Sequence, residues 1–150
     1  MKQYTVQGLS ASGTGPQTAV NIIGSTAIRA LINSLVIGFR TNPAASDQQV
    51  RVQVGNTTAV GTAGSSPTPK PNDPQDVAAV STAGIAHSAE PTYGATFFAD
   101  IDLNQRSSKE MALVDGREFS GSATASNGVA GKMTLVTAAL VMSMLTGWRE

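Results

Sequence analysis

The chain has 150 residues, ten basic and ten acidic side chains, a formal net charge of zero and no cysteine. That length supports one domain with a real core. The missing cysteines exclude disulfides and thiolate metal sites, and Lys and Arg are scattered from Lys2 and Arg29 to Lys132 and Arg149, without the basic cluster that marks a nucleic-acid face. Charged residues make up 13% of the chain, against a usual share of roughly 25%. A surface so poor in charge is weakly protected against association and favours a protein that works packed against neighbours.

In chain order, Tyr4 to Leu9 alternates modestly and reads as a first strand. The Gly/Ser/Pro stretch Ser10 to Gln17 is a loop, and the β-branched, apolar run Thr18 to Ile23 a second strand. Ile28 to Phe39 is ambiguous. Ile28, Leu31, Ile32, Leu35, Val36 and Phe39 fit helical spacing, but Leu35-Val36-Ile37-Gly38-Phe39 is dense in β-formers and favours a strand. Asn42 to Asp47 is a turn cluster. Gln48 to Val54 puts Val50, Val52 and Val54 on one face and Gln49, Arg51 and Gln53 on the other, the cleanest period-two pattern in the chain.

Residues 55–94 read as one long inserted loop, and a loop of this length inside a compact domain is uncommon and usually functional. Within it, Asp73-Pro74-Gln75-Asp76 carries the marks of a helix start: a capping Asp, Pro at the first helical position and an acid near the positive end. Val77 to Thr82 would add about two turns before Gly84 stops them. Glu90-Pro91-Thr92-Tyr93-Gly94 is an extended lead into a turn.

Ala95 to Leu103 is a strand with Phe97, Ala99, Ile101 and Leu103 on one side and Phe98, Asp100 and Asp102 on the other. Met111 to Val114 is a strand ending in a turn at Asp115-Gly116, and Glu118 to Ser120 resumes pairing. Asn127-Gly128 signals a turn, and Gly131 to Val136 and Leu140 to Arg149 complete the set. In the last, Met142, Met144 and Trp148 share one face and Val141, Ser143 and Leu145 the other, so this strand is either central or covered by a partner subunit. The sum is all-β: a β-sandwich or jelly roll of about eight strands in a single domain, 1–150, with one long Pro-rich loop carrying a short helix.

No catalytic, metal or cofactor site is assigned. His87 is the only histidine, with Glu90 and Asp100 as conceivable partners and Ser88, Ser107 and Ser108 as conceivable nucleophiles, but no G-x-S-x-G turn or comparable signature accompanies them. Asp100 and Asp102 on one strand face read as a solvent-facing polar stripe rather than an acid–base pair. Asn72, Asp73 and Asp76 lack EF-hand spacing, and Gly13 and Gly15 do not complete a phosphate-binding loop. Met142 and Met144 read as core, and Trp148 as a seal on the core edge or an anchor for a subunit contact. The first residues lack the apolar segment of a signal peptide, and the apolar run Ala138 to Leu145 is too short to cross a bilayer. The expectation is a chain made in a cytoplasm, with no membrane and no nucleic-acid partner.

The segment Thr68 to Ser108, TPKPNDPQDVAAVSTAGIAHSAEPTYGATFFADIDLNQRSS, resembles a family of small tailed-bacteriophage virion proteins. The likeness is carried by Thr68, Pro69, Asp73, Pro74, Asp76, Ala78, Thr82, Ala83 and Gly84, by Glu90-Pro91-Thr92-Tyr93, and by Leu103-Asn104-Gln105-Arg106. Gly38 to Asp47 and Ala125 to Gly128 are similar more loosely. Asn72 stands where the family has Leu, and Met142 to Leu145 is more apolar than the family's closing strand. The resemblance implies a β-sandwich virion component without catalytic residues: a capsid decoration or cement protein on the head surface, binding the phage major capsid protein as a homo-oligomer, a trimer being favoured. Tail, neck and main-coat roles are the alternatives, and a carbohydrate-binding sandwich is a third. Pro69, Pro71, Asp73, Pro74, Glu90, Pro91, Tyr93 and Trp148 are the expected partner-binding residues.

Overall fold

The computed structural model describes residues 1–40, 46–134 and 136–150. Eleven strands follow in order: β1 (Gln3–Leu9), β2 (Gln17–Ile23), β3 (Leu31–Phe39), β4 (Gln49–Ala59), β5 (Lys70–Pro71), β6 (Thr82–Ile85), β7 (Thr92–Asn104), β8 (Lys109–Ala112), β9 (Phe119–Ser120), β10 (Gly128–Met133) and β11 (Met142–Arg149). The first sheet runs β5-β1-β11-β3-β8, with β9 also paired to β3, and the second runs β6-β2-β10-β4-β7. Every pairing is antiparallel. Among the described residues no helix is long and apolar enough to cross a membrane.

Alternation decides which side chains meet between the sheets. Val50, Val52 and Val54 of β4 point into a core shared with Ile32, Leu35 and Ile37 of β3 and Met142, Met144 and Trp148 of β11. Segment 31–39 is therefore a strand, and its helix-like spacing reflects a strand with apolar residues on both faces. β11 is central in its sheet, between β1 and β3, and sends Met142, Met144 and Trp148 into the core, while Leu145 on its outer face stays exposed. Gly131 of β10 is one close approach between the sheets: a Cβ there would lie 2.4 Å from Met144 Sδ.

Several expectations need correction. Among the described residues there is no helix, so the capped helix expected over Asp73 to Thr82 is absent. Asp73 does cap, but what it closes is a single turn: its Oδ1 accepts the Gln75 amide at 2.9 Å and its carbonyl the Asp76 amide at 3.0 Å. Beyond it, Tyr4 donates its hydroxyl to the Val77 carbonyl at 3.1 Å, and Glu150 takes the Val80 and Ser81 amides. A two-turn helix is marginal on its own, and here its backbone groups are bound to the neighbouring strands instead.

The long loop is also shorter than expected, because β4 continues to Ala59 and β7 starts at Thr92. The register of these two strands shifts between Val54 and Gly55. Gly55 pairs with Phe97, and a Cβ on Gly55 would lie 2.7 Å from that ring. The shift separates Phe97 from Ala99, Ile101 and Leu103, which pack on the core, and sets it beside Tyr93 under the Lys132 ammonium. Phe98 stacks on Phe119 with ring centroids 4.9 Å apart. At Asn127-Gly128 the left-handed residue is Ser126, φ 71°, while Gly128 already begins β10. Of the turn expected over 42–47, positions 42–45 lie outside the described residues, as does Leu135 of the strand expected over 131–136.

Trp148 is 0% exposed, tilted against Tyr4 at 6.0 Å between ring centroids. Trp148→Ala is expected to lower the unfolding free energy of the chain by about 3–5 kcal/mol, read from urea unfolding; an unchanged midpoint would show that the indole is not a core residue.

Candidate functional site

The segment between β4 and β7, residues 60–91, is a strap that joins the outer strands of the two sheets on one side. Its first bonds are internal: Thr62 bridges Ala89, and Ser65 bridges Ile85. Lys70 and Pro71 then pair with Thr5 and Tyr4 of β1, and the Asn72 amide donates to the Gln3 carbonyl at 2.8 Å. Lys2 Nζ lies 3.6 Å from Asp76 Oδ1. The strap crosses to the second sheet as β6, which pairs with β2 from Val20 to Ile23. Prolines preset much of this path, so less backbone freedom is lost in holding it.

Glu150 is the strongest tie. One carboxylate accepts the Val80 amide at 2.9 Å, the Ser81 amide at 2.9 Å and the Trp148 indole N–H at 3.1 Å. Burial alone would raise its pKa, but these donors outweigh burial and hold it below the ordinary carboxylate value.

The expected partner-binding residues divide into three groups. Pro69 and Pro71 are half-buried along the arm, and Asp73 and Pro74 are exposed at its turn. Glu90, Pro91 and Tyr93 lie at the other end and face inward. Thr18 Oγ1 donates to Glu90 Oε2 at 2.5 Å and lies 2.8 Å from the Tyr93 hydroxyl, and Pro91 is buried. Burial raises the Glu90 pKa against the pull of Thr18 and Lys132, and burial likewise raises that of Tyr93. Trp148 is core, so the subunit-anchor role is corrected: its side chain presents no surface to a partner.

Sequence reasoning missed the most exposed apolar residues of the strap, Val77 at 64% and Val80 at 49%. Their signal was present as two valines just after the Asp73-Pro74 turn, and assigning them to a helix hid it. Val36 and Leu145, also exposed, pair across β3 and β11 on the outer face of the first sheet. A groove of about 350 Å³ joins Leu145 to Thr5, Gln7, Pro67, Thr68 and Lys70. The arm and this outer face therefore form one continuous surface of mixed apolar and small polar character.

Asp100 does not stand free as half of a paired carboxylate. Arg51 clamps it with two bonds, at 2.7 and 2.5 Å, and Gln53 adds a third at 3.0 Å, which together bring its pKa to about 2. Among the described residues no group of three His, Cys, Asp or Glu side chains comes together to hold a metal. No family model matches the chain, and no curated protein or solved structure matches it.

Because the folded-state pKa of Glu150 is depressed, its contribution is fully present above the ordinary carboxylate value of 4.5 and is lost as pH falls from there through the lower folded-state value. Glu150→Gln is expected to cost about 1 kcal/mol, to raise hydrogen exchange at Val80 and Ser81, and to flatten this acid limb. An unaltered exchange pattern at the two amides would disprove the tie.

Proposed function

We infer that the chain is a virion structural protein, a capsid decoration or cement protein that binds the major capsid protein on the assembled phage head and stabilises neighbouring coat subunits. In this reading it is made in the host cytoplasm, sits on the capsid surface and acts as a homo-oligomer, a trimer being the favoured state. The observation that carries it is the strap. The segment with the strongest phage resemblance is held along its length, and it presents Asp73, Pro74, Val77 and Val80 outward. An ordered, proline-set arm loses little conformational freedom on docking, and many weak contacts on a lattice add up through avidity.

The strand order supports the same reading. With β5, β6 and β9 set aside, the sheets run β1-β11-β3-β8 and β2-β10-β4-β7. We take this as a double-sheet jelly roll, an architecture used by viral capsid domains and also by lectins. That order favours a second reading, a main coat subunit, which differs from a cement role in that the shell would not assemble without this chain. A tail or neck component and a carbohydrate-binding module are the further alternatives; a low copy number per virion would favour the former, and a glycan screen tests the latter.

Point substitutions test the arm better than its deletion, since the strap also contributes Ala83 and Pro91 to the interior. The double variant Val77→Asp, Val80→Asp is expected to keep its unfolding midpoint and to lose attachment to purified heads by about tenfold or more, equivalent to roughly 1.4 kcal/mol. Full attachment of the folded double variant would remove the arm from the mechanism.

A further inference from the structure

His87 occupies the point where the strap returns to the second sheet, between β6 and β7. It is 3% exposed, and neither ring nitrogen makes a well-aligned hydrogen bond; the Thr18 backbone is the polar group that bears on the ring. The ring packs against Gly84, where a Cβ would lie 3.2 Å from Nε2. Around it the backbone is tightly tied: Ala86 N donates to Leu9 O at 3.0 Å, Gly64 N to Ala86 O at 3.1 Å and Ser88 N to Thr62 O at 2.9 Å. Ala86 itself takes φ 50°, in the left-handed region that an alanine rarely adopts, so the turn into His87 is strained.

A neutral imidazole can be buried without partners at moderate cost, but an imidazolium cannot. We propose that His87 is an acid-sensitive latch: protonation of its ring releases residues 82–91 from the second sheet and uncovers the backbone edge of β2.

The surroundings leave the new charge uncompensated. The Thr18 backbone on β2 is the polar group that acts on the ring, and it offsets only part of the burial that lowers the His87 pKa from 6.5. β1, β2 and β6 carry no Asp, Glu, Lys or Arg, and neither do residues 60–66 of the strap. Glu90 is the nearest acid along the chain, engaged by Thr18 and lying within the field of Lys132, whose ammonium covers the Tyr93 ring at 4.3 Å. Arg40 lines a neighbouring cavity of about 400 Å³ with Ala86 and Ile85.

The signs separate these groups. His87 has a folded-state pKa below its unfolded value, so its contribution is complete above about 6.5 and is lost as pH falls below that. Glu90 is raised in the fold, so its contribution is lost as pH rises and acid favours the closed strap. Glu150 also loosens the strap in acid, but only below its ordinary value of 4.5. The window between about 4.5 and 6.5 belongs to His87 alone among the groups that open the strap.

Because His87 is the only histidine, its ring proton gives a single titrating signal in the NMR spectrum of the intact chain. The expected midpoint lies below 6.5. Over the same range, hydrogen exchange at residues 82–91 and at the paired amides of β2, corrected for intrinsic rates, is expected to lose about tenfold protection per pH unit. His87→Gln and His87→Leu are expected to keep that protection level between pH 7 and 5. Wild-type protection unchanged across the window, or a variant that loses it in step with wild type, would overturn the latch; should either variant fail to fold, the wild-type titration decides.

Discussion

The structure depends on how the backbone of residues 60–91 is satisfied. A segment this long, lying against two sheet edges, carries many N–H and C=O groups that must find partners as water leaves them. It finds them on β1 through Lys70, Pro71 and Asn72, on β2 through β6, and on the Glu150 carboxylate through Val80 and Ser81. Those attachments explain why the segment is extended where a helix would have been possible. They also protect β1 and β2, which would otherwise be open sheet edges.

The same attachments divide the strap into parts with different chemistry. The arm from Pro67 to Val80 faces outward and is built from prolines, small polar residues and two exposed valines. The return from Ser81 to Pro91 is largely interior, with Ser81, Ala83, His87 and Pro91 buried. An outward arm suits contact with a neighbouring subunit. An interior return with one buried histidine, facing no charged partner, suits control of that contact by pH. The two roles lie on one segment but rest on different residues, so they can be separated by mutation.

The outer face of the first sheet belongs to the same picture. Val36 and Leu145 are apolar, exposed and directly paired, and the groove beside Leu145 continues to Pro67 and Thr68. In a chain with so few charges, such a face has little electrostatic protection against association. The ionic contacts among the described residues tie the chain to itself: Arg51 joins Asp100 across β4 and β7, and Arg149 of β11 holds Asp115 and Glu118 in the segment between β8 and β9.

Much of the fold was legible in the residues because alternation is a local property. Val50, Val52 and Val54 announced the inner face of β4, and Met142, Met144 and Trp148 that of β11, since a pleated strand leaves an apolar residue at every second position only one place to go. The capping power of Asp73 was also legible. Whether the cap would start a helix was not, because the competing donors and acceptors, Tyr4 and Glu150, lie some seventy residues away in sequence. The bulge that separates Phe97 from Ala99, the burial of His87 without a charged partner and the inward turn of Glu90 toward Thr18 were equally hidden. Each depends on which strand lies alongside, and that is settled only when the sheets assemble. Local patterning alone determined the all-β class and most strand faces; tertiary structure decided that the Pro-rich segment is a strap rather than a helical loop, because its backbone bonds are made to strands distant in the chain.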